Sequence, residues 1–193
     1  MDTFRLSFAL ILIAAVAIST FFRSRARRSE AIPRAREGKG LLLLRLAVAL
    51  PFLAGLVAYA VEPRWMAWSA VPLPPPLRWA GVGVGLASLV LLLWIFRAIG
   101  PNISETVLTK SDHQLVTHGP YRWVRHPLYT VATAALLSLG LIAANAFILL
   151  VGLLLFAGIA LVIVPREEAQ LIDKFGDSYR QYRRRSGAFL PRP

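Results

Sequence analysis

The chain alternates long apolar runs with short polar segments, and the lengths of those runs predict its elements. Phe4 to Phe22 is apolar apart from Arg5 and polar Ser and Thr. At ~1.5 Å per helical residue it just covers a hydrocarbon core of ~30 Å. Leu41 to Val61 repeats the pattern, with Pro51 near its middle as an expected kink, because proline removes a backbone donor. A third span is expected from Leu77 to about Arg97. Leu128 to Ala144 and Ala146 to Val164 are apolar on either side of Asn145, the pattern of a helical hairpin with a tight turn. The reading is an all-α polytopic membrane protein of about five transmembrane helices, followed by a cytoplasmic helical segment to about Arg185.

The segments between the runs fit that reading. Glu62 to Pro76 holds Pro63, Pro72, Pro74, Pro75 and Pro76 with Trp65 and Trp68, so it is not helical throughout, and its tryptophans suit a headgroup belt on the outer face. Ile99 to Pro127 is polar and broken by Pro101, Gly119, Pro120 and Pro127. Gly81 and Gly85 have the GxxxG spacing of close helix contact. No strand precedes them, which argues against a nucleotide-binding glycine loop. Met1 to Phe22 resembles a signal peptide only superficially: its apolar stretch is long and arginines follow it directly, so it reads as a retained span.

Composition sharpens the class. The 193 residues are 56% hydrophobic and 17% charged, too apolar for an ordinary soluble domain. The net charge of +12 would suit nucleic acid if it formed one face, but the cations sit in segments between the apolar runs. Residues 23–40 hold seven Lys or Arg, residues 97–127 four and residues 165–193 seven, which is 18 of 22. Arg5, Arg64 and Arg78 remain for the other side, and Arg45 lies near the inner face. By the positive-inside rule the N-terminus is then outside, and the C-terminus and any site beside these segments are cytoplasmic. Cysteine is absent, which removes thiolate chemistry and any disulfide framework. A single membrane domain, 1–193, is expected: N-terminal spans over 1–76, then a core over 77–193 with the hairpin 128–164 and the tail 165–193.

Two polar blocks carry the candidate chemistry. The first runs from His118 through Gly119, Pro120, Tyr121, Arg122, Trp123, Arg125 and His126 to Pro127 and Tyr129, where a turn leads straight into a span. Pro127 suits the first helical position, where its missing N–H has no partner to lose. The second starts with Glu167 and Glu168, carboxylates beside an apolar layer that invite cationic partners, with Arg125 and Arg122 as candidates. As one helix, Glu168, Leu171, Ile172, Phe175, Tyr179 and Tyr182 share a face, and Leu171 and Phe175 read as packing residues. A metal site is not expected: His113 and His118 are five apart, and His126 precedes proline without a carboxylate cluster beside it in sequence. Asn102-Ile103-Ser104 matches a glycosylation sequon on the expected cytoplasmic side, where it would be idle.

Taken together, the stretch from His118 to Tyr129 and that from Glu167 through Phe175, Gly176, Tyr179 and Tyr182 to Arg185, in this order and separated by two apolar helices, resemble the isoprenylcysteine carboxyl methyltransferase family and its phospholipid methyltransferase relatives. The resemblance covers about residues 100–192. It implies an integral membrane methyltransferase that uses S-adenosylmethionine without a Rossmann domain. It implies a cofactor site of His118, Gly119, Tyr121, Arg125, His126, Pro127, Tyr129, Glu167 and Glu168, with Tyr179, Tyr182 and Arg183 beside it, and Arg125, His126 and Glu168 as catalytic residues. The cofactor's ammonium, carboxylate and adenine call for carboxylates, a cation or N–H donor, and flat surfaces. Glu167 or Glu168 suits the first, Arg125 or His126 the second, and Tyr121 the third. The expected acceptor is a lipophilic molecule or lipid reaching the site through the bilayer, foremost the carboxylate of a prenyl-cysteine-like compound. Membrane lipids are expected neighbours and nucleic acid is not; the oligomeric state stays open. Two other readings stand beside this one: a membrane reductase using NADPH, similar to sterol reductases, and a non-enzymatic protein whose Arg-rich loops bind anionic lipid or a partner.

Overall fold

The computed structural model describes residues 2–27, 39–102 and 114–192. Arg28, Arg34 and Arg36 of the first basic segment, Ile103 and Ser104 of the sequon, and His113 lie outside the described residues. Seven α-helices follow in order: α1 Thr3–Arg27, α2 Lys39–Val61, α3 Pro75–Ile99, α4 Pro127–Ala143, α5 Ala146–Gly158, α6 Val164–Phe175 and α7 Asp177–Arg185. Thr3–Ala26, Pro75–Ile99 and Ala146–Phe175 are long and apolar enough to cross a membrane; Ala49–Val61 and Pro127–Ala143 are shorter apolar helices. The architecture is that of an all-helical polytopic membrane protein.

Local chemistry sets the boundaries. Pro75 and Pro127 open α3 and α4 in the first turn, where proline costs no hydrogen bond. The loop after α2 coils into a 3-10 helix, Pro63–Ser69, capped by the Glu62 side chain. The hairpin turn uses Ala144 in the left-handed region (φ 50°) and Asn145 as N-cap, whose side chain accepts from the Ile148 N–H at 3.1 Å. The Asn145 amide also donates to the Met66 carbonyl (3.0 Å) and Ser69 Oγ (2.8 Å), which ties the hairpin to the α2–α3 loop.

Two buried clusters mark the two ends of the bundle. Phe8, Ile11, Phe52, Leu56, Tyr59, Met66, Ile142 and Ile148 fill the end that carries the hairpin turn. Ala26, Leu92, Ile95, Phe96, Tyr121 and Val131 fill the end where α1 and α3 finish and α4 begins. The basic segments therefore converge on one end. Beside the first cluster the Gly81 and Gly85 pair lets α3 close on its neighbours: a Cβ at Gly81 would lie 2.9 Å from Leu141 Cβ, and one at Gly85 2.7 Å from Ile11 Cδ1.

The tail departs from expectation twice. It does not begin as a separate element at Pro165: Ala146 to Phe175 is one continuous helix, interrupted only by a π turn at Ile159–Ile163. Nor does one helix carry the stripe from Glu168 to Tyr182, because Gly176 (φ 53°) breaks the chain between α6 and α7. The stripe folds back on itself, so Tyr179 and Tyr182 are buried while Leu171, Ile172 and Phe175 are only partly so.

Candidate functional site

The site forms where the segment before α4 meets the end of the last long helix and the tail folded over both. Gly119 (φ 58°) turns the chain into a short 3-10 helix, Gly119–Arg122, which buries Pro120 and Tyr121. His126 then caps α4, so Arg125 and His126 project from an extended stretch held beside a helix start. Backbone pairing fixes that stretch against the tail. Arg125 N–H donates to the Gly187 carbonyl (2.8 Å), His126 N–H to Ala188 (3.0 Å), and Gly187 N–H to Trp123 (3.0 Å). Thr130 Oγ1 adds a bond to the Phe189 carbonyl at 2.9 Å. At Gly187 a Cβ would fall 1.7 Å from the Leu190 carbonyl oxygen, so only glycine fits the fold of this strap.

The polar centre is built on Glu168. Its Oε1 accepts from Arg125 Nε at 2.9 Å and lies 3.3 Å from His126 Nε2, while its Oε2 lies 3.2 Å from Arg183 Nε. Arg125 also donates to the backbone carbonyls of Arg183 (3.1 Å) and Ser186, so it braces the tail as well as the carboxylate. Glu167 accepts from the Tyr129 hydroxyl at 3.1 Å, and the same oxygen lies 3.7 Å from His126 Nδ1. The His126 imidazole, 5% exposed, thus has one carboxylate beside each nitrogen and stacks with the Tyr129 ring at 5.9 Å. Phe189 packs near His126 and edge-on to Phe156 of α5.

About twenty residues from Ala146 suffice for a ~30 Å core, which leaves both carboxylates beyond the hydrocarbon. Burial acting alone would raise the Glu168 carboxyl. The hydrogen bonds and charges of His126 and Arg125 outweigh it and hold the group at about 2. Glu167 moves the other way, since burial and the neighbouring Glu168 charge exceed what His126 and Tyr129 return. Burial also raises Tyr121 and Tyr179, and lifts Tyr182 to about 12. The Tyr182 hydroxyl is satisfied by the Tyr121 carbonyl at 2.6 Å. That of Tyr179 is fully buried with no hydrogen-bond partner among the described residues.

Of the residues expected at the site, Arg125, His126, Tyr129, Glu167, Glu168 and Arg183 share this network, and Tyr121, Tyr179 and Tyr182 form its buried aromatic wall. Pro127 starts the helix beneath it. Gly119 acts through the backbone turn, and His118 is an exposed residue before that turn. Arg122 does not reach the glutamates; its guanidinium lies 6.0 Å from the Trp123 ring. Sequence reading missed Thr130, Ser186, Gly187 and Phe189. Gly187 carries no local sign of its role, because its pairing partners, Trp123 and Arg125, are more than sixty residues away.

Comparison with known proteins shows what the chain is similar to. The model of the isoprenylcysteine carboxyl methyltransferase (ICMT) family matches residues 81–173. Protein-S-isoprenylcysteine O-methyltransferase of Schizosaccharomyces pombe is 36% identical over 98 residues, 48% of this chain and 40% of the relative. Methanethiol S-methyltransferase 1 of Bradyrhizobium diazoefficiens is 39% identical over 77 residues, 37% of this chain and 24% of the relative. Among solved structures, a eukaryotic intramembrane Ras methyltransferase, isoprenylcysteine carboxyl methyltransferase, matches 83% of this chain and 54% of its own with a TM-score of 0.52 at 23% identity, a likeness of fold. The chain spans less than half the length of these two curated relatives.

Proposed function

Because the isoprenylcysteine carboxyl methyltransferase family model matches residues 81–173, we propose that this integral membrane protein is a methyltransferase of that family that uses S-adenosylmethionine and acts on a lipophilic acceptor, foremost a lipid-like carboxylate. The observation that carries the proposal is the pair of adjacent carboxylates held around His126 under a buried aromatic wall with one unpartnered hydroxyl. The donor set fits the cofactor. Glu167 is the more exposed carboxylate and is suited to its ammonium, His126 and the partly exposed Arg183 to its carboxylate, and the Tyr179 hydroxyl to a polar edge. Bound there, S-adenosylmethionine supplies a methyl group on a sulfonium, open to in-line displacement.

The chain's own residues bind, orient and exclude water. Arg125 and His126 keep Glu168 ionised and fixed, and the strap from Ser186 to Phe189 covers the start of α4. A carboxylate acceptor is ionised at neutral pH and needs no base, so the site's work is alignment in a dry pocket. The exposed side of Arg183 is available to the acceptor's acidic head. We place this end of the bundle in the cytoplasm, with α1 entering from outside, because the basic segments converge on it. Residues 77–193 form the catalytic core, and 1–76 add spans beside it.

Purified protein incubated with methyl-labelled S-adenosylmethionine and membrane lipid extracts should place label in a lipid-extractable methyl ester that releases labelled methanol in base. Label in a stable thioether would move the acceptor to sulfur. Binding of NADPH without affinity for S-adenosylmethionine or its demethylated product would replace this reading with a reductase.

A further inference from the structure

The π turn at Ile159–Ile163 lies in the middle of the longest helix, and its hydrogen bond runs from Val164 N–H to the Ile159 carbonyl, five residues back. An α-helix closes over four, so the turn holds one residue more than regular winding needs. The consequence appears in helix phase. Ile148 and Gly152 mark the buried face of α5. At about 100° per residue, uninterrupted winding would carry Glu168 to about 200° from Ile148, on the far side of the helix. One absorbed residue returns about 100° of rotation, which brings Val164 to about 60° and Glu168 to about 100° from Ile148. These two are the buried residues of α6, and Glu168 meets Arg125 and His126 there.

We propose that the π turn is a phase-setting element: its one surplus residue rotates α6 so that Glu167 and Glu168 face the Arg125–His126 segment. Leu161, 77% exposed on the lipid side, makes the surplus testable. Deleting it converts the turn to regular helix without changing the phase of α6, whereas inserting one alanine after it rotates α6 by about a further 100°. The inference rests on the proposed function only for the cofactor used as probe. A second readout is independent of it: the chain has no cysteine, so a short thiol cross-linker between His126→Cys and Glu168→Cys reports which way α6 faces.

The expected result is that the Leu161 deletion binds S-adenosylmethionine within about threefold of the parent by calorimetry and keeps the cross-link. The insertion should lose tenfold or more in affinity and lose the cross-link. An insertion that binds and cross-links like the parent overturns the proposal, and so does a Leu161 deletion that fails to fold or to cross-link. If the insertion does not fold, the deletion alone decides. If the parent binds no S-adenosylmethionine, the cofactor reading fails while the cross-link still decides the phase.

Discussion

Glu168 shows why one residue can carry both the stability and the chemistry of this site. Its carboxylate is buried, and it is ionised because Arg125, His126 and Arg183 surround it. Charge-assisted contacts contribute roughly 1.5–3 kcal/mol each, so Glu167→Gln, at the carboxylate assigned to the cofactor's ammonium, should weaken S-adenosylmethionine binding about tenfold or more by calorimetry. Glu62→Gln, at the opposite end of the bundle, should leave the affinity unchanged. The sign of the pH effect follows from the depressed value of Glu168. A carboxyl held at about 2 against an ordinary 4.5 contributes stability fully above 4.5 and loses it as pH falls toward 2. The gap in melting temperature between the parent and Glu168→Gln in detergent should therefore be constant from pH 7 down to about 5 and close at lower pH. A gap that already changes between pH 7 and 6 would mean another group holds the charge. Arg125→Ala should destabilise by roughly 3–5 kcal/mol, since it leaves a buried carboxylate short of a partner and also frees the tail strap.

Among the elements, those legible in the sequence were the ones whose cause is local. Asn145 between two apolar runs marks a turn because its side chain caps the helix that follows, and Asn145→Ala should cost about 1–3 kcal/mol in detergent unfolding, through the lost cap and the lost bonds to the α2–α3 loop. Gly81 and Gly85 announce close packing by their spacing, and Gly85→Leu, which forces a side chain into Ile11 and Ser138, should destabilise by about 1–3 kcal/mol or more. Pro127 as a helix start was legible for the same reason, whereas the first polar block beside Glu167 and Glu168 was legible through charge complementarity and the family resemblance. What the sequence hid is long-range or phase-dependent. The strap joins Trp123 and Arg125 to Gly187 by backbone bonds, which residue types do not specify. The π turn escapes any pattern built on one helical period, because Ala146 to Val164 is apolar all round and carries no stripe from which a change of phase could be read. Gly176 was visible as a residue, yet its role as a break needed the fold, since the apolar stripe continues at helical spacing on both sides of it.

At the scale of the whole molecule, the antiparallel helices bring every described basic segment to the end that holds the site, while the lipid bounds its sides. In the orientation we propose, a reporter joined to the C-terminal end should be cytoplasmic and one before α1 external; both on one side would require an even number of crossings. Under the proposed function the same arrangement would separate the routes of the two substrates. S-adenosylmethionine, being charged, would enter from water near the basic segments, whereas an apolar acceptor would stay in the bilayer and approach between helices. The proposed meeting point is at the level of Glu168 and the strap, beside Phe156 and Phe189. An acceptor held along an apolar groove gains ~0.8 kcal/mol for each methylene it buries, so kcat/KM should rise about threefold to fourfold per added carbon until the groove is filled, then level off. Assays in mixed micelles with a homologous series of acyl or prenyl carboxylates would measure this, at constant surface concentration so that partition into the micelle does not imitate the trend. A rate independent of chain length under those conditions would show that the acceptor's tail stays in lipid and only its head is recognised.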